Sequence, residues 1–276
     1  MTNEATPSAI SDADEATHMT RLQAHGLVVG YDDREVLHGL DVQIPDGAFT
    51  VIIGPNACGK STLLKTLARL LSPSAGQVVL DGQSIHQQRT KDVARVLGLL
   101  PQSPLAPDGI TVAELVARGR SPHQNLISRW SHEDEAAVDA ALASTGVEDL
   151  RDREVDALSG GQRQRVWIAL VLAQQTPLLL LDEPTTFLDI AHQVEVLDLV
   201  AGLRNDGQTV VAVLHDINHA IRYADHLIAM RDGHIVAEGA PERIVTAPMI
   251  EEVFGLRCRV VPDPDVGVPV VLPALP

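Results

Sequence analysis

The chain has 276 residues, of which 45% are hydrophobic, and its formal net charge is -16. This length and composition suit one large folded domain, or one that carries an inserted subdomain. The negative charge disfavours a general nucleic-acid-binding surface, so affinity for polyanions is expected only at local sites. Cys58 and Cys258 are too few and too far apart for a disulfide framework, which fits a reducing cytosol. No apolar run approaches the roughly 20 residues needed to span a bilayer, and the N-terminus does not resemble a signal peptide.

Residues 1–19 are the first predicted segment, an acidic tail. Its cluster of Asp12, Asp14 and Glu15 is more typical of a disordered, solvated segment than of a metal site. Residues 22–53 contain several short alternating strands and a Pro45-Asp46-Gly47 turn. This pattern predicts a small antiparallel sheet.

A glycine-rich loop follows the apolar run at residues 49–53 and leads into a helix predicted over residues 61–71. In such a loop the backbone N–H groups and the positive end of the helix dipole point at one spot. Lys60 can reach the β- and γ-phosphates of a bound nucleotide, and the Ser61 hydroxyl can ligate Mg²⁺. The sequence therefore predicts a nucleoside triphosphate site. Its residues are Gly54, Pro55, Asn56, Ala57, Cys58, Gly59, Lys60, Ser61 and Thr62.

The middle of the chain is predicted to be helical. A strand over residues 77–80 and an Asp81-Gly82 turn precede a helical pattern that extends from about residue 91 to 155. Residues 111–118 and 131–144 give the clearest helices, and the second begins with Ser131 and early acidic residues. We interpret residues 91–160 as an inserted helical subdomain.

A second phosphate-binding surface is predicted at residues 158–162, which read Leu-Ser-Gly-Gly-Gln and open another helix. The glycines would let a phosphate approach the backbone closely. Taken alone, the step from Ser159 to Gly161 is more often an ordinary helix cap with a tight turn.

Two carboxylates, Asp182 and Glu183, end the apolar run at residues 178–181, which reads as a central parallel strand. Ligands of open α/β sheets lie beyond such strand ends. Period-2 geometry aims the two side chains differently, so Asp182 can hold Mg²⁺ while Glu183 accepts a proton from the attacking water. The alternative is that this step merely caps the next helix. With the upstream loop, it indicates an ATPase or GTPase core.

The remainder of the chain alternates between helices and strands up to about residue 240, which predicts a parallel sheet with crossover helices. Residues 259–272 are expected to form two short strands around a turn. His215 and His219 have the spacing of metal ligands, but Asp216 replaces the usual Glu and no third ligand is evident, which disfavours zinc.

These motifs, in this order, resemble the ATP-binding subunit of ABC transporters, and the resemblance runs from about residue 22 to the C-terminus. It implies an α/β P-loop NTPase fold with a RecA-like parallel core, an antiparallel β subdomain and an inserted helical subdomain. The ATPase domain would span residues 20–258, with a hairpin-like extension at 259–276. ATP and Mg²⁺ are the implied cofactors.

The resemblance also implies roles for single residues. Tyr31 matches the aromatic residue that stacks on adenine, and Gln102 the glutamine that touches Mg²⁺ and the attacking water. His215 matches the histidine that senses the γ-phosphate. Residues 158–162 match the family's signature motif, which faces the phosphate loop of a second subunit. Asp189 matches an aspartate that also acts across the dimer. The nucleotide-binding residues implied for the second subunit are Ser159, Gly160, Gly161, Gln162 and Asp189. Two ATP molecules would thus be sandwiched between two head-to-tail copies.

Three longer stretches narrow the resemblance to the ferric siderophore uptake branch: residues 116–124, 185–193 and 253–264. Importers of vitamin B12 or haem use similar cassettes and remain alternatives. The implied partners are integral membrane permease subunits and, indirectly, an extracytoplasmic substrate-binding protein, with no nucleic acid. The implied location is the cytoplasmic face of the cell membrane, as a peripheral protein.

Ala57 departs from the family loop, which usually has Gly at this position. A Cβ there costs on the order of 1 kcal/mol if the backbone requires a positive φ. We expect a working site that is slower or weaker. Cys58 beside it invites a nucleophile interpretation, but phosphoryl transfer to water needs no thiol.

Three rival functions are weaker. A soluble ATP-driven clamp acting on nucleic acid or protein is disfavoured by the single cassette, the acidic balance and the lack of a long coiled-coil insertion. An exporter cassette is often fused to its membrane domain, which this sequence lacks. A regulator without turnover would be expected to lack Glu183 or His215, and both are present.

Overall fold

The computed structural model describes residues 20–32, 34–124, 130–186 and 188–274, so the predicted tail at residues 1–19 lies outside the described residues. Among the described residues, no helix combines the length and the apolar character that crossing a membrane requires. The strands are β1 (Leu22–Tyr31), β2 (Arg34–Ile44), β3 (Phe49–Ile53), β4 (Ala75–Leu80), β5 (Gln83–Ser84), β6 (Leu97–Leu100), β7 (Leu178–Asp182), β8 (Thr209–Val213), β9 (His226–Arg231), β10 (His234–Gly239), β11 (Cys258–Pro262) and β12 (Pro269–Pro273). The helices are α1 (Lys60–Leu67), α2 (Thr90–Val96), α3 (Val112–Ala117), α4 (His132–Thr145), α5 (Gly160–Ala173), α6 (Ile190–Asn205), α7 (Ile217–Tyr223), α8 (Pro241–Ile244) and α9 (Ala247–Phe254).

The central sheet has the strand order β10-β9-β3-β8-β7-β6. Strands β9, β3, β8, β7 and β6 pair in parallel, and β10 is an antiparallel edge strand. Every residue of β3, β7 and β8 is buried, as expected for strands covered on both faces. Because these strands are parallel neighbours, the segments that follow β3, β6, β7 and β8 emerge at the same edge of the sheet.

The two faces of this sheet belong to two hydrophobic cores, because side chains alternate along a strand. Phe49, Val51 and Ile53 face the core shared with α3, α4 and α5, whereas Ile52 faces the core shared with α1 and a second sheet. That second sheet is antiparallel with the order β2-β1-β4-β5. The predicted α/β class with a parallel core and an antiparallel β subdomain is confirmed.

Capping boxes fix the starts of the helices in the middle of the chain. Thr111, Ser131 and Ser159 each accept a hydrogen bond from the main-chain N–H three residues ahead, and that residue's side chain returns a bond to the cap. This arrangement satisfies donors that a helix start leaves free. The helices α3, α4 and α5 therefore each begin at a Ser or Thr that is followed three residues later by an acidic residue or Gln.

The helical prediction for residues 91–155 is wrong at Leu97–Leu100, which form β6 at the edge of the central sheet. Four apolar residues without periodicity do not distinguish a buried helix from a strand. Gly98 favours the strand position, since a Cβ there would lie 2.8 Å from Thr176 Oγ1 and 2.9 Å from Val171 Cγ1. The division into subdomains stays a prediction.

Helix α1 ends at Leu67, four residues before the predicted end. Arg69 adopts a left-handed backbone at φ 63°, and the main-chain N–H groups of Leu70 and Leu71 both donate to Lys65 O. This turn closes the helix before Pro73. At the other end of the chain, β11 and β12 form an antiparallel hairpin, and Asn218 on α7 holds it through two bonds to the Val271 backbone.

Candidate active site

The loop between β3 and α1 needs glycine at both of its ends. Gly54 has φ 153°, and a Cβ there would lie 2.2 Å from Met230 O and 2.8 Å from Cys58 Sγ. Gly59 has φ 106° and caps α1, and a Cβ there would lie 2.8 Å from Leu37 Cδ2. Distances below about 3 Å would force the backbone to shift. The loop can therefore pack this tightly because these positions carry no side chain.

Lys60 lies at the start of α1 and is almost fully buried, with 5% of its surface exposed. Its Nζ donates to Gly54 O and Pro55 O, both at 2.9 Å, so the ammonium group closes the loop. The first N–H groups of α1 have no partner within the helix and add to this positive charge. Together they form a site for a polyanion such as a triphosphate.

Cys58 belongs to this loop. Its side chain is buried, and burial raises the pKa of the thiol. A protonated, covered thiol is a poor nucleophile, which agrees with a packing role for Cys58.

Ala57 has a left-handed backbone conformation, with φ 63°, so its position is one that favours glycine. The replacement Ala57→Gly is expected to raise the free energy of unfolding by up to about 1.6 kcal/mol. Relief of left-handed strain, roughly 1–2 kcal/mol, outweighs the roughly 0.4–1 kcal/mol that Gly costs through the unfolded chain. Urea unfolding measures the change, and an ATPase assay of the same variant shows whether Ala57 slows turnover.

The matched control for that prediction is Ala68→Gly, at the end of α1, where φ is -78° and Ala is unstrained. This variant is expected to lose stability, by roughly 0.4–1 kcal/mol, because Gly gives the unfolded chain more conformational freedom than Ala. An equal loss in both variants would contradict the claim that Ala57 is strained.

Asp182 ends β7 and faces Ser61. Its Oδ1 accepts the Ser61 hydroxyl at 2.8 Å, and only 1% of the residue is exposed. Among the described residues, nothing donates a hydrogen bond to its buried Oδ2. Burial raises the pKa of Asp182, against the Ser61 hydrogen bond and the charge of Lys65, which lower it.

A hard cation would give the unpaired, buried Oδ2 of Asp182 a partner. An orphaned carboxylate oxygen beside a hydroxyl oxygen is the donor chemistry that Mg²⁺ prefers. Ser61 and Asp182 therefore fit the predicted metal site. Gln102, the third predicted metal residue, instead places its side-chain amide against Glu183.

Glu183 lies one residue beyond β7 and is held by three side chains. His215 Nε2 lies 2.7 Å from its Oε1, while Gln102 Nε2 and Thr186 Oγ1 donate to its Oε2 at 2.6 Å and 3.1 Å. Glu183 has φ 55°, a strained conformation of the kind that clusters at active sites. Thr186 was not predicted; its position three residues after Glu183 was the available signal.

The charge state of Glu183 follows from these contacts. Burial raises its pKa, but the hydrogen bond and charge of His215 and the bonds from Thr186 and Gln102 outweigh burial and hold the pKa below its usual value. A carboxylate that is ionised and only 8% exposed can orient a water molecule and accept its proton.

A cavity of about 740 Å³ opens over the loop and Glu183. Its lining joins the predicted residues Tyr31, Asn56, Ala57, Gly59, Lys60, Ser61, Thr62, Glu183 and His215 with Asp32, Arg34, Val36. Arg34 and Val36, on β2, were not predicted, because no local motif marks them. Tyr31 is 46% exposed and lines the cavity, so it is accessible to a flat aromatic ligand.

The predicted signature residues do not line this cavity. Ser159 caps α5, accepts the Gln162 N–H at 3.3 Å and donates its own N–H to Gln162 Oε1 at 3.1 Å. Within the described part of the chain, no atom lies within 4 Å of a Cβ built on Gly160. The start of α5 is thus capped by its own side chains and does not line the cavity of the same chain.

Asp189 caps α6 beside the signature. Its Oδ1 accepts the main-chain N–H of His192 at 3.0 Å and bonds His192 Nδ1 at 2.7 Å. These bonds, the backbone one foremost, lower the pKa of Asp189. The His192 ring also contacts Gly161. His192 was not predicted.

Comparison with known proteins identifies the family. A family model described as ABC transporter matches residues 37–186. The ferric enterobactin transport ATP-binding protein FepC of Escherichia coli K12 is 57% identical over 92% of this chain and 94% of its own. The achromobactin transport ATP-binding protein CbrD of Dickeya dadantii is 54% identical, over 92% and 95%. The iron(3+)-hydroxamate import ATP-binding protein FhuC of Bacillus subtilis is 47% identical, over 92% and 95%.

Solved structures agree. An inward-facing metal-chelate type ABC transporter has a chain with a TM-score of 0.80 and 28% identity, covering 93% of this chain and 98% of that one. A dimeric bacterial ABC transporter cassette has a TM-score of 0.72 and 28% identity, covering 79% and 98%. The family match, the identities and the fold lead to one conclusion. The chain belongs to the ABC transporter family.

Proposed function

We propose that this chain is the ATP-hydrolysing subunit of an importer of ferric siderophores, bound to permease subunits at the cytoplasmic face of the cell membrane. One observation carries the proposal: the anion-binding loop that ends at Lys60 and the ionised Glu183 line the same cavity. Relatives that share about half of the sequence are named for ferric enterobactin transport and iron(3+)-hydroxamate import.

Binding of ATP follows from the lining of the cavity. Tyr31 would stack on the base at one end, and Lys60 with the α1 N–H groups would hold the phosphates at the other. Ser61 and Asp182 would hold Mg²⁺, which neutralises charge on the phosphates when bound. The Lys60 ammonium must then exchange its bonds to Gly54 O and Pro55 O for phosphate oxygens.

Hydrolysis would be carried by Glu183. Its carboxylate would orient a water molecule toward the γ-phosphate and accept its proton. Gln102 and Thr186 fix Oε2 of this carboxylate, and His215 fixes Oε1. His215 also lines the cavity and can therefore sense whether the γ-phosphate is present.

The site is incomplete in a single chain, because the signature residues lie outside its cavity. We propose that a second, head-to-tail copy supplies Ser159, Gly161 and Asp189 to the γ-phosphate. Closure of this dimer on ATP, and its release after hydrolysis, would transmit force to the permease. The dimeric cassette among the similar structures supports such an assembly.

The cargo is tested by uptake in the native organism. A strain that lacks this gene is expected to lose uptake of ⁵⁵Fe-labelled siderophore complexes and to keep uptake of labelled vitamin B12 and haem. The wild-type gene should restore iron uptake, and Glu183→Gln should not. Loss of B12 or haem uptake with normal iron uptake would contradict the siderophore assignment, and loss of none would favour a soluble ATPase.

A further inference from the structure

The His192 side chain contacts both Asp189 and the signature residue Gly161, which lie far apart in the sequence. It stands in the first turn of α6, and its Nδ1 lies 2.7 Å from Asp189 Oδ1. On its other side, a Cβ built on Gly161 would lie 3.0 Å from the ring atom Cδ2. The imidazole therefore fills the space above Gly161 while it holds the carboxylate of Asp189.

The chemistry of the bond to Asp189 fixes the tautomer. A carboxylate only accepts, so Nδ1 must carry the proton and donate it. The same oxygen also accepts the His192 main-chain N–H at 3.0 Å, which anchors the carboxylate at two points. Asp189 has 67% of its side chain exposed, so without these bonds the carboxylate would rotate freely in solvent.

Two further contacts hold α5 to the segment after Glu183. Gln164 Nε2 donates to Pro184 O at 2.7 Å, and Arg165 NH1 pairs with Glu195 Oε2 at 3.1 Å. These contacts lie farther along α5, whereas His192 contacts α5 at its glycine end. It therefore lies next to the signature glycines and to Asp189.

We infer that His192 is a positioning residue. It holds the signature glycines and Asp189 in a fixed arrangement, so that together they form one rigid surface that binds the second copy. The inference rests on the proposed head-to-tail dimer. His192 touches no nucleotide in this role; it removes the freedom of the groups that do. The dimer gains affinity because less motion is lost when it closes on ATP.

Substitutions of His192 can separate the effect of its hydrogen bond to Asp189 from the effect of its contact with Gly161. His192→Ala removes both the bond to Asp189 and the contact with Gly161. His192→Asn keeps an N–H donor on the atom that follows Cγ, as Nδ1 does, and loses the ring. His219→Ala is the matched control: His219 also stands three residues after a capping aspartate, Asp216, which accepts its N–H at 2.8 Å, but it lines the cleft beside the C-terminal hairpin.

The test is ATP-dependent dimerisation of the full chain in the Glu183→Gln background, measured by sedimentation with MgATP. His192→Ala is expected to weaken dimerisation at least about 10-fold, His192→Asn to recover much of the loss, and His219→Ala to change nothing. Binding of a fluorescent ATP analogue to the monomer should be the same in all variants, which a general folding defect would not allow.

The outcomes distinguish this inference from the function on which it rests. Equal dimerisation with and without His192→Ala overturns the positioning role and leaves the dimer intact. An Asn variant as defective as the Ala variant overturns the assignment of the Asp189 bond. Failure of the Glu183→Gln parent to dimerise with ATP overturns the dimer and this inference with it.

Discussion

Glu183→Gln is expected to lower the rate of ATP hydrolysis by roughly 10²–10⁴-fold, the usual contribution of a general base, while ATP still binds. Gln keeps the size of the side chain and its hydrogen bonds with Gln102 and Thr186 can rearrange, but it does not accept a proton from water. The cradle around Lys60 is unchanged, so the affinity for ATP should remain.

The same variant should accumulate as a closed dimer. If closure needs only ATP binding and opening needs loss of the γ-phosphate contact, blocking hydrolysis traps the bound state. Single-turnover hydrolysis and sedimentation with MgATP measure the two effects. Glu133→Gln, an exposed acid in the first turn of α4, is the control and should keep the parental rate and remain monomeric under the same conditions. Parental hydrolysis in Glu183→Gln would refute the assignment of Glu183 as the base.

The sequence located this site because its signals are local. An apolar run followed by Gly, Lys and Ser predicts a turn from strand to helix. The two carboxylates that end the short apolar run at residues 178–181 favour a strand covered on both faces. Parallel pairing then brings Asp182 and Glu183 to the loop. These steps need only the apolar runs, the residues that follow them and the rule that the ends of parallel strands share an edge.

The site residues that were not predicted from the sequence reach the site from elements that are distant in the sequence. Arg34 and Val36 reach the cavity from β2, and His192 contacts Gly161 from a different helix. No spacing rule predicts such pairs, because they depend on how two elements pack. The same reason explains β6, whose four residues are a strand only because β7 lies beside them.

The largest stability effect is expected at Arg120, which ties three helices together. Its Nε donates to Asp134 Oδ1 at 2.9 Å, and its NH1 donates to Ala173 O and Gln175 Oε1, both at 2.8 Å. Arg120 and Asp134 are 4% and 5% exposed. The pair thus joins the end of α3, the start of α4 and the end of α5, the helix that begins with the signature.

Arg120→Ala is expected to lower the free energy of unfolding by about 3 kcal/mol, because it takes the cationic partner from the buried carboxylate of Asp134 and the Arg120 donor from the carbonyl of Ala173. Ser131 still donates to Asp134, which keeps the loss at the lower end of the range for buried pairs. Arg151→Ala is the matched control. Arg151 also pairs with two carboxylates of α4, Glu135 and Asp139, but is 40% exposed, and should cost no more than about 1 kcal/mol.

The pH dependence gives a second signature of the Arg120 pair. The Arg120 hydrogen bond, helped by Ser131, holds the pKa of Asp134 below its usual value against burial. A lowered native pKa contributes stability that is complete above the unfolded pKa and is lost as the pH falls through the native one. The stability gap between wild type and Arg120→Ala should therefore narrow as the pH falls below about 4, while the Arg151 gap stays small throughout. Urea unfolding between pH 3 and 7 measures both, and a gap that widens in acid would contradict the pairing.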